Sequence, residues 1–215
     1  MTGGLWVIGG GGLARGAVDA ARLAGQTIAG IVLPAVTSLS WFDGPVISEA
    51  DFAARADDDA VVVAVGDNAL RWRIADKLAL KRPSLRFPAV VHPSVVRGER
   101  VRVADGAIVL ASVTLCPDAS IGRLALVYTG TIIEHDCVMG DHASTAPGVV
   151  MGGGVNIGAA SFVGLGARIM HGRSIGSDTV IGMGAVVTRD LPDNVVAVGH
   201  PARIVRARQH GDRYL

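Results

Sequence analysis

The sequence predicts a chain of two parts: a small α/β domain with a Rossmann-like order of elements, followed by a parallel β-helix coiled as a triangular prism. Two observations support this prediction. A six-residue repeat runs without interruption through the second half of the chain. An N-terminal strand ends in a run of glycines that leads into a helical pattern. The 215 residues can hold one large domain or two small ones, and the change of pattern favours two, at 1–88 and 89–215.

The repeat places an apolar residue at every sixth position from Val103 to Val187. Fourteen of these fifteen positions are apolar, and Thr145 is the exception. A period of six fits neither a helix nor a single strand, but it fits a coil with one short strand and one tight corner every six residues. Three such sides make one coil, so residues eighteen apart should stack at about 4.8 Å. The alternative, an ordinary β-sandwich, would need fifteen positions to fall in register by chance.

The first domain begins with a strand at 5–8 and a helix pattern from Leu13 to Leu23, joined by four glycines. Such a turn lets backbone N–H groups approach a phosphate at the helix N-terminus. Gly11, Gly12 and Leu13 are therefore candidate substrate contacts. A single match to this pattern is weak, and a tight turn without a ligand is the alternative.

Further strands are predicted at 27–33, 46–47 and 60–65, with helices beginning at Ser48 and spanning 69–81. This order predicts a small parallel sheet whose ligand crevice lies beyond the carboxyl ends of the strands. Gly66, Asp67 and Asn68 follow one such end, and we expect them to face the glycine turn. The second strand ends in Leu33-Pro34, where a dinucleotide-binding domain would carry a carboxylate for the ribose. This argues against NAD.

The composition argues against several other classes of function. A net charge of +1 with 18% charged residues gives no electrostatic footprint for nucleic acid. The sequence has no run of about 18 apolar residues and no signal-peptide pattern, so we expect no membrane partner and a cytoplasmic protein. We attribute the mean hydropathy of +0.43 to the repeat and to surface buried between subunits. Cys116 and Cys137 are expected to be buried free thiols.

The candidate catalytic residues lie in the repeat, and because its core fills the prism, any site must lie on the surface or between copies. His135 and His171 each follow a repeat position by two residues and are two coils apart, so we expect them on one edge, roughly 10 Å apart. Gly153 lies between them and opens a slot. Acids flank His135, so a carboxylate could fix its tautomer and leave the other nitrogen as a general base. The alternative is a solvated structural histidine. The remaining histidines, His92, His142, His200 and His210, are expected to be structural or surface residues.

Several motifs in the repeat and the first domain resemble those of a known family. They are Ile133-Glu134-His135-Asp136-Cys137, Gly184-Ala185-Val186-Val187, Gly199-His200-Pro201-Ala202, and Val65-Gly66-Asp67-Asn68 with Arg71. They are similar to those of left-handed β-helix acyltransferases, and within these to sialic acid O-acetyltransferases and nucleotide-amino-sugar N-acetyltransferases. The resemblance covers nearly the whole chain. It implies a left-handed coil, a homotrimer, acetyl-CoA between neighbouring β-helices, and a nucleotide or sugar on the N-terminal domain.

The resemblance also implies roles for individual residues. His135 would be the general base and Asp136 the acid that raises its basicity. Gly153 matches a position where the backbone meets the CoA arm, and Leu165 and Met183 match further wall positions of that arm.

The sequence departs from the family in four places, one of which is Tyr128, where relatives carry an asparagine near the catalytic histidine. Ser144, which the resemblance places among the cofactor contacts, stands where relatives have a histidine near the acetyl group. Leu13 stands where relatives often carry a histidine in the glycine turn. Leu33-Pro34 stands where many members that bind UDP-sugars carry paired acids.

We therefore expect an acetyl-CoA-dependent transferase that acts on a nucleotide-linked amino sugar and uses no metal. Alternatives are a sugar O-acetyltransferase of the sialic acid type, a trimeric hydratase of the γ-carbonic anhydrase kind, and a non-catalytic β-helix protein that binds CoA or a sugar. The hydratase needs three imidazoles at about 2.0–2.1 Å from zinc, and His135 and His171 lie too far apart to share an ion within one subunit. Leu13 and Ser144 are the residues that suggest a non-catalytic protein.

Overall fold

The N-terminal domain is a four-stranded parallel sheet with helices on both faces. The computed structural model describes residues 4–55, 60–212 and 214, so the outermost residues of both predicted domains lie outside the described part. The strands are β1 Leu5–Ile8, β2 Ile28–Leu33, β3 Val46–Ser48 and β4 Ala60–Val63, and the helices are α1 Gly12–Leu23, α2 Glu49–Ala53 and α3 Asn68–Lys81. The strand order is β3-β2-β1-β4. From β1 the chain moves outward to β2 and β3 and then crosses back to β4 on the other side of β1, so the topological switch point lies at the carboxyl ends of β1 and β4.

Side chains at the helix starts explain where two of the three helices begin. Ser48 accepts a hydrogen bond from the N–H of Asp51 at 3.0 Å and begins α2, as predicted. Asp67 accepts one from Leu70 at 2.7 Å and begins α3. Helix α1 begins after Gly11 with no side-chain cap.

The second half of the chain is a left-handed parallel β-helix, which confirms the predicted fold class. Between residues 90 and 187, all of which the structure describes, a two-residue strand begins every six residues. The strands are β5 Val90–Val91, β6 Val96–Arg97, β7 Arg102–Val103, β8 Ile108–Val109, β9 Thr114–Leu115, β10 Ser120–Ile121, β11 Leu126–Val127, β12 Ile132–Ile133, β13 Val138–Met139, β14 Ser144–Thr145, β15 Val150–Met151, β16 Asn156–Ile157, β17 Phe162–Val163, β18 Arg168–Ile169, β19 Ser174–Ile175, β20 Val180–Ile181 and β21 Val186–Val187. From β7 onward, the second residue of every strand is the predicted repeat residue.

Three sheets form the sides of the prism, and their register is the predicted one. Strands pair with those eighteen residues away, for example Ile133 with Met151. We call the sheet that contains β5, β8, β11, β14, β17 and β20 the covered sheet. The first open sheet contains β7, β10, β13, β16 and β19, and the second open sheet contains β6, β9, β12, β15, β18 and β21.

The repeat residues fill the interior of the prism. Thr145, the polar exception, is fully buried. Its hydroxyl accepts a hydrogen bond from the N–H of Tyr128 at 3.3 Å and lies 3.2 Å from the Thr131 hydroxyl. A buried hydroxyl with partners carries little penalty, so the register continues through it.

The N-terminal domain packs on the covered sheet, which gives that sheet its name. Helix α1 and the sheet β1–β4 share one apolar core with Ile108, Leu110 and Leu126 of the β-helix. The edge between the two open sheets, formed by residues such as 134–137 and 152–155, therefore lies on the opposite side of the prism. We call it the far edge.

A hairpin ends the covered sheet. Strand β22, Val195–Gly199, pairs parallel to β20, and β23, Ala202–Ala207, returns antiparallel to β22 as the edge of the covered sheet. No helix among the described residues is long and apolar enough to cross a membrane.

Candidate active site

His135 and Asp136 form a hydrogen-bonded pair on the far edge. His135 Nδ1 lies 2.8 Å from Asp136 Oδ2, and the two side chains are 62% and 66% exposed. With Nδ1 facing the carboxylate, Nε2 is left as the basic nitrogen. The same hydrogen bond raises the pKa of His135 above its ordinary value. The pair has the geometry of an oriented general base.

The ring of His135 lies across Gly153. A Cβ placed on Gly153 would be 2.5 Å from His135 Nε2 and 2.6 Å from Cε1, closer than any side chain tolerates. The slot predicted from the sequence is therefore occupied by the histidine ring itself. His171 lies one coil beyond Gly153 and is exposed, and in the described part of the chain its imidazole has no hydrogen-bond partner.

Leu165 and Met183 lie on a different edge, between the covered sheet and the second open sheet. They occupy equivalent positions in adjacent coils and are 57% and 70% exposed. Stacked, exposed apolar side chains of this size are typical of a surface that contacts a ligand or a partner. Within one chain they do not meet His135.

The glycine turn offers backbone donors but no functional side chain. A Cβ on Gly11 or Gly12 would meet nothing within 4 Å, so the backbone there is open to an approaching ligand. Leu13 instead packs, partly buried, against the core of the N-terminal domain.

Two of the predicted ligand contacts, Asn68 and Ser144, lie in the junction between the domains. The side-chain amide of Asn68 donates to the carbonyls of Ala160 and Ser161 at 3.0 and 3.1 Å. Its oxygen accepts from Arg71 at 2.7 Å and from the Ser144 hydroxyl at 2.8 Å. Both side chains are buried and bonded to each other, and the expected roles of Asn68 toward substrate and Ser144 toward cofactor stay predictions.

Asp67 and Gly66 border this junction. The Asp67 carboxylate is used to cap α3. A Cβ on Gly66 would lie 3.6 Å from the hydroxyl of Tyr128. Gly66 and Tyr128 thus face each other where the carboxyl end of the N-terminal sheet meets the β-helix.

Arg71 and His142 complete the junction. Arg71 is fully buried and donates to the carbonyls of Leu124 and His142 at 2.8 and 2.7 Å; burial lowers its pKa to about 10. The His142 ring stacks on Trp72, with centroids 4.6 Å apart and planes inclined by 6°. Burial, followed by the nearby Arg71 and Arg123, lowers the pKa of His142 to about 4.

A cavity of about 750 Å³ lies at the carboxyl edge of the N-terminal sheet, between α2 and α3. This volume suits a nucleotide-sized ligand. Its wall includes Gly9 and Val65, at the carboxyl ends of β1 and β4, where the switch-point rule places ligands. The sequence predicted a ligand site at the ends of these strands, but it did not predict that one face of α3 forms part of the wall. The only signal was the spacing of residues 70, 74, 77 and 81 along α3.

The described residues contain no group of three or more His, Cys, Asp or Glu side chains that could hold a metal ion.

Known proteins resemble the chain over both domains. Residues 4–78 match the PglD N-terminal domain. A solved histidine variant of perosamine N-acetyltransferase from Caulobacter crescentus, in complex with CoA and GDP-perosamine, is 36% identical with a TM-score of 0.89, covering 95% of this chain and 97% of that one. The PglB acetyltransferase domain from Neisseria gonorrhoeae, in complex with acetyl coenzyme A, is 27% identical with a TM-score of 0.87, covering 95% and 100%. GDP-perosamine N-acetyltransferase of Escherichia coli is 32% identical over 66% of this chain and 65% of its own length.

The chain belongs to the hexapeptide-repeat nucleotide-amino-sugar N-acetyltransferases. This confirms the resemblance seen in the sequence and the assignment to the acyltransferases. It favours nitrogen over oxygen as the acceptor atom.

Proposed function

We propose that this protein transfers the acetyl group of acetyl-CoA to the amine of a nucleotide-linked amino sugar. The observation that carries the proposal is the exposed His135–Asp136 pair, whose free Nε2 lies over a glycine. The nucleotide-sized cavity at the N-terminal sheet and the N-acetyltransferases among the relatives support it.

In the proposed reaction, the neutral sugar amine attacks the thioester carbonyl while His135 Nε2 accepts the amine proton. The Asp136 carboxylate stabilises the imidazolium that forms. The tetrahedral intermediate then collapses and its carbon–sulfur bond breaks. The CoA thiolate takes the proton from His135, so amide and free thiol leave and no covalent enzyme intermediate forms.

We further propose that the site is shared between subunits of a homotrimer. His135 lies on the far edge, and its own N-terminal domain covers the opposite side of the prism. A sugar held by that domain cannot reach the His135 of the same chain without passing around the β-helix. A second copy removes the conflict, with the CoA arm between Gly153 of one subunit and the edge that carries Leu165 and Met183 of the partner subunit.

The nucleotide portion is proposed to lie at the carboxyl edge of the N-terminal sheet. Gly11 and Gly12 have backbone open to an approaching ligand, and Leu13, Gly66 and Asp67 are proposed to line the site beside them. A cytoplasmic location is proposed with this activity, because Cys116 and Cys137 are free thiols.

Binding and complementation test this proposal. Calorimetric titration should detect acetyl-CoA and one class of nucleotide sugar, and transfer should be lost in His135→Ala. Gly11→Asp, which places a negative charge beside the phosphates without a steric clash, should lose nucleotide binding. Neither variant should be active alone. Mixed subunits should regain about a quarter of wild-type activity, because a site needs its two intact halves from different chains.

Two results would contradict parts of this scheme. Absence of acetyl-CoA binding would remove the transferase function. Absence of recovered activity in mixtures that are shown to exchange subunits would place both halves of the site on one chain.

A further inference from the structure

We propose that Glu49 makes the nucleotide cavity selective for guanine, so that the acceptor is a GDP-linked amino sugar. The proposal rests on the proposed function, because it takes the cavity between α2 and α3 as the nucleotide site. It goes further by assigning the base and the side chain that recognises it.

Glu49 lies at the carboxyl edge of the N-terminal sheet. Ser48, the last residue of β3, pairs with Leu33 of β2, so Glu49 is the first residue beyond the paired strands. It lines the cavity together with Pro34, which follows β2. The base of a nucleotide whose diphosphate crosses the end of β1 would therefore reach Glu49.

The charged side chains in the cavity wall are mostly basic. Among the residues that the structure describes, Glu49 is the only acidic side chain in the wall, whereas Arg73, Lys77 and Lys81 line the α3 side. Among the described residues, none of these four side chains has an ion pair or a hydrogen bond. The apolar remainder of the wall includes Phe52, Ile74 and Leu78. The cavity thus offers one strong acceptor, an excess of positive charge and an apolar surface.

A lone carboxylate distinguishes the bases by the donors on their edges. Guanine presents two adjacent donors, N1–H and the 2-amino group, which match the two oxygens of a carboxylate. Adenine presents a donor beside an acceptor. Uracil and thymine present one donor between two carbonyl oxygens, which a carboxylate repels. Guanine is therefore the base that Glu49 favours.

The basic side chains fit the rest of a nucleoside diphosphate. A diphosphate carries at least two negative charges, and Arg73 lies on the first turns of α3, near the carboxyl edge. Lys77 and Lys81 extend the positive field along the same helix face. The Leu33-Pro34 end of β2 supplies no carboxylate that would compete with Glu49 for the base.

Calorimetric titration of the full-length protein with GDP and inosine diphosphate tests the assignment, because inosine diphosphate differs only in lacking the 2-amino group. We expect GDP to bind about ten to a hundred times more tightly, as one hydrogen bond to a charged group is lost. In Glu49→Gln, GDP should bind more weakly, and the ratio should fall to within about threefold. Asp51→Asn is the matched control, because it removes a carboxylate from the same helix turn outside the cavity wall.

The remaining outcomes separate this inference from the function on which it rests. Equal binding of UDP and GDP, or unchanged discrimination in Glu49→Gln, would overturn the role of Glu49 and leave the transferase function intact. Acetyl transfer to a UDP-linked sugar would do the same. Absence of both nucleotide binding and acetyl transfer would instead remove the proposed function.

Discussion

Two neighbouring corners of the prism carry the same two residue types in opposite order, and the two histidines have opposite properties. At the far edge the order is His135-Asp136, and at the next corner it is Asp141-His142. In both corners the second residue adopts a left-handed backbone, with φ of 59° for Asp136 and for His142. His135 is exposed with a raised pKa, whereas His142 is buried with its pKa lowered to about 4.

Two factors account for this difference: the position of each histidine within its turn, and whether the N-terminal domain packs over that corner. The residue two after the repeat position points outward from the edge. At the far edge this residue is His135, and the carboxylate of the following residue, Asp136, hydrogen-bonds its Nδ1. At the next corner Asp141 occupies the outward position and accepts a hydrogen bond from the N–H of Arg123 at 2.7 Å. His142 lies beneath α3, against Trp72. The same two residue types thus give an exposed histidine with a raised pKa in one order and a buried histidine with a lowered pKa in the other.

The largest expected contrast is in catalysis. His135→Ala should lower kcat/KM by about 10²- to 10⁴-fold, the usual contribution of a general base, and leave the melting temperature nearly unchanged because the side chain is exposed. His142→Asn, which keeps a residue tolerant of the left-handed backbone, should keep the rate and lower the melting temperature. Steady-state kinetics and thermal unfolding distinguish the two. Equal rate losses would mean that both histidines act in the reaction.

The next contrast concerns stability against pH. The unfolded chain protonates His142 near its ordinary pKa of 6.5, whereas the folded chain keeps it neutral down to about 4. The unfolded state therefore binds more protons in this window, and the free energy of unfolding should fall by up to roughly 3 kcal/mol as the pH drops from 6.5 to 4. Urea unfolding at pH 7.5 and 4.5, at fixed protein concentration, measures this. The fall should be smaller in His142→Asn, and an equal fall would assign it to other groups.

Adjacent glycines at the far edge sharpen the contrast between catalysis and stability. Gly153→Ala places a Cβ against the ring of His135, which can rotate away, so activity should fall about tenfold or more with little change in stability. Gly152→Ala places a Cβ 2.7 Å from the backbone nitrogen of His171, which cannot move without the whole coil. That variant should lose about 1–3 kcal/mol of stability. Kinetics and denaturant unfolding of both variants test the pair, and a Gly153→Ala enzyme of normal activity would argue against the observed ring position.

The smallest effect is expected from the partner of the base. Asp136→Asn removes the carboxylate that raises the pKa of His135, so the acid limb of the kcat/KM profile should move to lower pH. The plateau should fall by about tenfold, because one charge-assisted hydrogen bond that orients the ring is weakened. A pH–rate profile measures both changes. An acid limb at its original pH would show that another group controls it.

The sequence predicted the β-helix closely because its geometry repeats. One register, set by the apolar position of each six residues, determines every strand from β7 to β21 and the pairing of residues eighteen apart. The same arithmetic placed His135 and Gly153 in one column. The strand at 5–8 and the helices α1 and α3 followed from local pattern, with the start of each helix one residue earlier than expected.

The sequence was least informative where the two domains meet. Asn68 and Ser144 are 76 positions apart in sequence, and no local pattern shows that the N-terminal domain packs on the covered sheet. Each looked like a polar residue at a family ligand position, and docking buried both. For the same reason, the wall of the cavity between α2 and α3 was not predicted. The helices α2 and α3 bring Glu49 and Arg73 to one cavity only after the sheet has formed.

The hairpin at the end of the β-helix bears on how the protein avoids polymerising. A parallel stack of short strands has no intrinsic end, and its last strand is a template on which another chain could continue the stack. Strand β23 runs antiparallel to its neighbour β22, whereas the other strands of the covered sheet are parallel to one another. It also carries Arg203 and Arg206, both exposed. A second chain adding there in parallel would meet a reversed strand and like charges. Strand β23 thus ends the covered sheet in a form that disfavours continuation of the repeat on that side of the prism.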